Sequence, residues 1–323
     1  MITSLILSFI TSVILGKYTI DTLNKRRVKQ TFREEGPEAH FAKMGTPTMG
    51  GIFVILTVII LSLFILITGL GGVESKGFFI HLVAASIGCG LVGFLDDFLK
   101  VEKKNSDGLS PIKKILGVTL FGLIFSILMI YVFKKDFVLN IPFFKSVKLH
   151  KLLYIPFSII VLLATTNTLN LTDGIDGLAT TVGTIIMLFL TVIALKMQNM
   201  EVATLLVISI GAFLGFLLYN WNKAKVFMGD VGSFFLGGVI GVSAIALDLP
   251  IYLFLIAIIP VIEAISVIIQ VAWYKKTKKR VFLMAPIHHH FEKKGWSELK
   301  IVFIFGLITF IGCVLGYIGY IAA

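Results

Sequence analysis

The sequence predicts an all-α polytopic membrane protein of about ten transmembrane helices, and three observations carry that reading. Of 323 residues, 57% are hydrophobic and only 15% charged, against about 25% charged in an average soluble protein. The mean hydropathy is +0.97. The apolar residues also collect in runs of roughly 20, the length that crosses a bilayer core, and the charges collect between them. No repeat or low-complexity tract divides the chain, so residues 1–323 read as one integral-membrane domain.

The first run, near 2–22, is ITSLILSFITSVILGKYTI; it is long for a signal core and lacks a basic leader, so it reads as a span. The next three, near 50–69, 78–98 and 115–133, are bounded by GTPTMGG, GFLDDFLK and the pair Lys113, Lys114. A segment at 134–151 alternates around Asn140 and Pro142 and predicts a short external hairpin. Six further runs follow near 152–169, 178–195, 202–219, 231–249, 251–273 and 300–321. Ten spans place both termini on one side of the membrane.

Lysine and arginine set the orientation. Loops on one side hold Lys25, Arg26, Arg27, Lys29, Arg33, Lys43, Lys100, Lys103, Lys104, Lys113, Lys114, Lys223, Lys225, Lys275, Lys276, Lys278, Lys279, Arg280, Lys293 and Lys294. The other side holds Lys76, Lys196 and the hairpin cluster Lys134, Lys135, Lys145, Lys148 and Lys151. The richer side reads as cytoplasmic, which leaves both termini extracytoplasmic. A net charge of +11 is then a matter of topology and anionic lipid, not of nucleic acid. Cys89 and Cys313 lie inside apolar runs, which argues against a disulfide framework or a cysteine metal site.

The unusual polar residues fall on the predicted cytoplasmic side. They are AKMGTPTMGG, the Asp96–Asp97 pair, NLTDGIDGLA, NWNKAKVFMGDVGS and MAPIHHHFE. Each has a plain structural reading. Asp96 and Asp97 also fit a solvated helix boundary. Asp173 and Asp176 share a face if their segment is helical, while Asp176 and Asp230 each suit a helix N-cap. Adjacent histidines point apart on a helix, so His288, His289 and His290 do not easily ligate one metal. The run KKTKKR at 275–280 reads as a topology anchor, and Asp248 as a solvated external boundary. Glu263 lies deep in the ninth run, where an acid demands a partner or a wet cavity; the sequence assigns it no role.

Taken together, the acids without cysteine favour a hard cation such as Mg²⁺, held by one or two carboxylates plus substrate phosphates. Lysines and histidines beside them would offset phosphate charge. That set suits phosphoryl transfer, which relies on positioning and electrostatic stabilisation. A site at the membrane boundary can receive a soluble nucleotide from one side and a lipid phosphate from the other.

AKMGTPTMGG, GFLDDFLK, NLTDGIDGLA, FMGDVGS and APIHHHFE, in this order, resemble the signatures of the polyprenyl-phosphate N-acetylhexosamine-1-phosphate transferases. GTPTMGG and the triple histidine are most similar to the branch that acts on phospho-N-acetylmuramoyl-pentapeptide. The resemblance implies transfer of that group from UDP-N-acetylmuramoyl-pentapeptide to undecaprenyl phosphate, giving lipid I and UMP. It implies a Mg²⁺ requirement, a homodimer, and a place in the bacterial plasma membrane. By position, Asp230 becomes the direct Mg²⁺ ligand, with Asp96 and Asp97 as further candidates. Asp96, Asp97, Asp230 and His288 form the implied catalytic set. Lys43, Thr48, Asn170, Asp173, Asp176 and Asn220 match the nucleotide and sugar-phosphate site, and Gly174, Ile175 and Phe227 the uridine pocket. His289 and His290 match the diphosphate and nucleoside region, and Lys100, Lys104 and Lys113 the phosphate contacts. Asp96 is implied as a base, although a lipid phosphate is already largely ionised near neutral pH (second pKa about 6), so charge steering by the pair is the alternative. Direct displacement and a covalent two-step route both stay open, as do a sister enzyme with a peptide-free donor and a cation-coupled transporter.

Overall fold

The structure, a computed structural model, describes residues 1–26, 28, 45–103 and 108–323. Among them, ten helices are long and apolar enough to cross a membrane. In chain order they are α1 (Ile2–Lys25), α2 (Gly51–Thr68), α3 (Lys76–Lys103), α4 (Pro111–Tyr131), α5 (Lys151–Thr172), α6 (Leu178–Lys196), α7 (Met200–Asn220), α8 (Gly229–Ala246), α10 (Ile258–Thr277) and α12 (Glu298–Ala322). Two short helices, α9 (Leu253–Ile256) and α11 (Ile287–Lys293), a 3₁₀ turn (Pro250–Tyr252) and two strands, β1 (Val138–Ile141) and β2 (Phe144–Lys148), complete the described elements.

Small residues set the closest helix contacts, as expected where lipid supplies no hydrophobic drive between helices. The buried stripe of α1 is Ser4, Ser8, Ser12 and Gly16, at four-residue spacing. Ser8 and Ser12 donate to the carbonyls of Ile208 and Ala212 on α7, at 2.5 and 2.7 Å. The most deeply buried span is α8, which packs against α3 and α5. It forms the axis of the bundle, and its N-terminus is where the polar residues meet.

The expected ninth span, 251–273, is not one helix. A 3₁₀ turn at Pro250–Tyr252 leads into α9, the chain breaks at Ala257 (φ −104°, ψ 35°), and α10 begins at Ile258. Pro260 has no N–H to give the Ile256 carbonyl and its ring crowds that group, which breaks an α-helix there. The Cys313 thiol faces the Ile256 carbonyl instead, at 3.9 Å.

The hairpin forms as expected: β1 and β2 pair antiparallel, Val138 with Lys148, Leu139 with Val147 and Ile141 with Phe144, with an irregularity between Leu139 and Ile141. Asp248 is more than a solvated boundary, which corrects the sequence reading. Its carboxylate takes Lys135 at 3.0 Å, and its carbonyl accepts from the Asn140 N–H at 3.0 Å. Lys135 also donates to the Ala246 carbonyl. The residue ties the hairpin to the end of α8.

Candidate active site

Both acids of the GFLDDFLK stretch turn inward. The buried face of α3 runs through Leu82, Val83, Ala85, Ser86, Cys89, Val92 and Gly93 to Asp96 and Asp97, and the two acids are 0% and 4% exposed. Across from them, Asp230 lies in the first turn of α8. The helix N-cap is Met228, so Asp230 does not serve as the cap that the sequence allowed. One carboxylate oxygen from each of Asp96, Asp97 and Asp230 falls within 4.8 Å of the others.

Three acids this close repel, and the site holds them with specific donors. Lys100 reaches all three, at 2.5 Å from Asp96, 3.3 Å from Asp230 and 3.7 Å from Asp97. Lys114 stands 3.0 Å from Asp96 and 2.6 Å from Asp230. Asp96 also accepts from the Leu109 N–H at 2.7 Å, and Asp97 from the Val231 N–H at 3.0 Å. That second bond lets Asp97 satisfy an orphan N–H of α8 and face the positive end of its dipole. Asn170 donates to Asp230 at 2.9 Å and to Ser233 at 2.9 Å, fixing the second oxygen of Asp230. Gly229 has φ +73° and lies directly against Asp97, so the turn needs both a left-handed residue and no side chain.

The DGIDG segment is a turn, not a helix, so Asp173 and Asp176 do not share a helical face. Asp176 does not cap α6 either; the N-cap is Gly177, at φ +75°. Instead Asp176 accepts from the Ala224 N–H at 2.9 Å. Asn220 is buried, accepts from the Gly177 N–H at 3.0 Å and donates to the Val226 carbonyl at 3.0 Å. These two side chains brace one loop against the next. Asp173 is half-buried, and burial together with the charges of Asp230, Asp97 and Asp176 pushes its carboxyl well above the usual range. It therefore belongs to the same electrostatic unit. Ile175 is buried in the turn beside it.

The GTPTMGG stretch reaches the same end through backbone bonds. Phe227 N–H donates to the Pro47 carbonyl at 2.9 Å, and Gly50 and Gly51 donate to the carbonyls of Phe227 and Met228 at 2.8 and 2.9 Å. Thr48 is buried there.

Each histidine has a separate partner, as expected from their divergent directions. His288 meets Glu263 at 3.0 Å, His289 meets Glu292 at 2.5 Å, and Nδ1 of His290 accepts from the Leu283 N–H at 3.1 Å. Burial lowers the pKa of His289 and of His290; the latter is lowered also by Lys294. Glu263, unassigned by the sequence, thus has its partner in α11.

Among the lysines, Lys100 is in the cluster, while Lys113 is exposed and its neighbour Lys114 takes the inward place. Helical phase explains this. Lys114 lies four residues before Val118 and eight before Gly122, both on the buried face of α4. That stripe was a signal in the sequence, and it would have selected Lys114. Ser233, three residues after Asp230, was likewise legible and missed. Lys43 and Lys104 lie outside the described residues.

Three carboxylates facing two lysines, with no thiol nearby, form an oxygen donor set suited to a hard divalent cation. Comparison with known proteins gives the family. Residues 78–248, which include Asp96, Asp97, Asn170, Asp173 and Asp230, match the model of glycosyl transferase family 4. The chain belongs to that family. Within it, the chain is 42% identical to the phospho-N-acetylmuramoyl-pentapeptide-transferase of Acetivibrio thermocellus, over 97% of this chain and 93% of the relative. It is 43% identical to the enzymes of the same name from Clostridium beijerinckii and Clostridium perfringens, over 97% of this chain and 94% and 96% of theirs. This family 4 member therefore aligns with such transferases over nearly its whole length, well beyond the residues of the family match.

Proposed function

We propose that this chain transfers phospho-N-acetylmuramoyl-pentapeptide from its UDP carrier to undecaprenyl phosphate, giving lipid I and UMP, the first membrane step of peptidoglycan synthesis. One observation carries the proposal. Five segments far apart in sequence meet at one end of the bundle, around Asp96, Asp97 and Asp230, in a chain 42% identical over nearly its whole length to enzymes of that name.

In the reaction, an oxygen of the lipid phosphate forms a bond to the sugar-linked phosphorus of the donor. The bond from that phosphorus to the bridging oxygen breaks, and UMP leaves with the electron pair. Asp230, with Asp96 and Asp97 beside it, would hold Mg²⁺, which when bound neutralises phosphate charge during the displacement. Lys100 and Lys114 offset the mutual repulsion of the carboxylates and stand ready to donate to phosphate oxygens. Asn170 and Ser233 fix Asp230, and the N–H of Val231 fixes Asp97. Because each carboxylate is already held by N–H donors, a direct displacement by the lipid phosphate fits better than attack by an aspartate. Thr48, Asp173, Gly174, Ile175 and Phe227 border the space assigned to the nucleotide, with the Phe227 ring as a stacking face for uracil. His288, His289 and His290 lie on the diphosphate side.

The site opens on the cytoplasmic leaflet in this reading, which the lysine and arginine distribution supports, and both termini lie outside. The resemblance of the motifs supports a homodimer. The test is incorporation of labelled sugar phosphate into extractable lipid by purified protein with Mg²⁺ and both substrates, with a peptide-free UDP-N-acetylhexosamine as competitor. Labelled lipid and UMP in equal amounts are expected. Preference for the peptide-free donor would move the chain to the sister activity, and no labelled lipid under any divalent metal would end the proposal.

A further inference from the structure

The hairpin breaks the charge pattern that orients the rest of the chain. Residues 134–151 hold five lysines, Lys134, Lys135, Lys145, Lys148 and Lys151, against one acid, Asp136. They stand at the C-terminal end of α8, opposite the acidic cluster at its N-terminus, on the side of a membrane protein that ordinarily avoids such a cluster. Lys135 is neutralised within the fold by Asp248. The other four are exposed and have no ion-pair partner among the described residues. The first turn of α5, where Lys151 stands, contains no acid.

The apolar residues of the same ribbon are exposed as well: Phe143, Phe144 and Val147 are 48%, 68% and 50% exposed. Cross-strand partners project to one face of a ribbon, and so do residues two apart on a strand. Leu139 pairs with Val147 and Ile141 with Phe144, the irregularity between the two pairs taking up the extra residue of β2, whereas Val138 pairs with Lys148. Phe144 and Val147 therefore share one face, and Lys148 stands on the other. That is the pattern of an amphipathic element lying in a membrane interface.

The ribbon also lies at the lipid boundary. It starts between α4 and α5, and its tip reaches the end of α12, where the Phe143 N–H donates to the Gly319 carbonyl at 3.2 Å. α10 packs against both α5 and α12 yet leaves most of its surface outside the bundle. A ribbon joining α5 to α12 thus crosses a lipid-facing side, and Leu152, Leu153, Phe254 and Ile321 are exposed beside it.

We propose that the hairpin is a binding site for anionic glycerophospholipid in the leaflet on its side of the membrane. Phe144 and Val147 enter the acyl boundary, and Lys145, Lys148 and Lys151 hold headgroup phosphate. A zwitterionic headgroup carries the same phosphate with a cation that the lysines repel, so preference for net negative charge is the signature. An acidic protein segment would match the lysines but would leave the apolar face, turned away from Lys148, uncovered. The proposal depends neither on the transferase reading nor on which leaflet is cytoplasmic.

The test uses full-length protein in nanodiscs, with Ser146→Cys on the exposed strand labelled with bimane; Cys89 and Cys313 are buried, which keeps the label specific. Phosphatidylglycerol brominated near its headgroup end is expected to quench the label about twofold more than brominated phosphatidylcholine at the same mole fraction, an advantage that shrinks as salt is added. Joint Lys145→Gln, Lys148→Gln and Lys151→Gln substitution, in protein whose melting matches the wild type, should make the two lipids equal. Phe144→Ser with Val147→Ser should reduce quenching by both. Equal quenching with the lysines intact, or a preference that survives their replacement, would overturn the proposal. Loss of self-association in the lysine variant with the lipid preference intact would give the ribbon to a second copy of the chain and overturn it too. Sugar-phosphate transfer should stay within about twofold in the lysine variant, because the two ends of α8 are far apart. If the wild type transfers none, the functional reading fails while the lipid result stands.

Discussion

Lys114 donates to Asp230 at 2.6 Å, joining the first turn of α4 to the first turn of α8. The same ammonium is 3.0 Å from Asp96, so one cation spans two of the three acids. Lys114→Ala should lower turnover by about 10²-fold, the scale for removing one charged group from a preorganised site. Lys113→Ala, on the exposed face, should stay within about twofold of the wild type. Initial rates of lipid labelling decide between them, and equal losses would mean that the phase of α4 does not govern the site.

Asp230→Asn keeps the size of the side chain and its contact with Asn170, but removes the charge opposite Lys100 and Lys114. A loss of about 10³-fold or more is expected, with an unchanged elution profile. Retained turnover with the same Mg²⁺ dependence would reject Asp230 as the metal-holding acid.

Asp173 keeps its proton above the usual carboxylate range because it loses solvent in its half-buried place and faces the charges of Asp230, Asp97 and Asp176. A divalent cation bound beside it favours the charged form and so lowers its pKa. The sign follows: Mg²⁺ binding should release protons, and apparent Mg²⁺ affinity should rise with pH until Asp173 is ionised. Calorimetric titrations in buffers of different ionisation enthalpy measure the released protons, and Asp173→Asn should release fewer. An unchanged proton count in that variant would count against the coupling.

Gly229→Ala places a side chain at φ +73° and against Asp97. A destabilisation of roughly 1–3 kcal/mol is expected from the backbone alone, together with a drop in turnover as Asp97 shifts from the Val231 N–H. Asp248→Asn offers the contrast. Asparagine tolerates its φ of +60°, and the site is at the other end of α8. Turnover should hold within about twofold while the thermal midpoint falls slightly with loss of the Lys135 pair. Inactivity of Asp248→Asn would show that the hairpin end communicates with the site.

The ten spans, the hairpin and the choice of acids were legible in the sequence because each rests on local chemistry. Twenty apolar residues cross a bilayer wherever they occur, and an acid pair at the end of such a run needs compensation. The choice of Lys114 over Lys113 was also available, since it follows from a four-residue stripe in one helix. Pairings were not available. Nothing near Glu263 in the chain points to His288, 25 residues on, because their meeting depends on α11 folding back along α10. Nor does local sequence say that Asp97 serves the N-terminus of α8, or that Asn220 and Asp176 brace loops against each other. Local composition determined which residues were too costly to leave unpartnered; only the packing of α3, α4, α5, α8 and α10 decided which partner each one met, because hydrogen bonds and ion pairs depend on distances in space that spacing along the chain does not set.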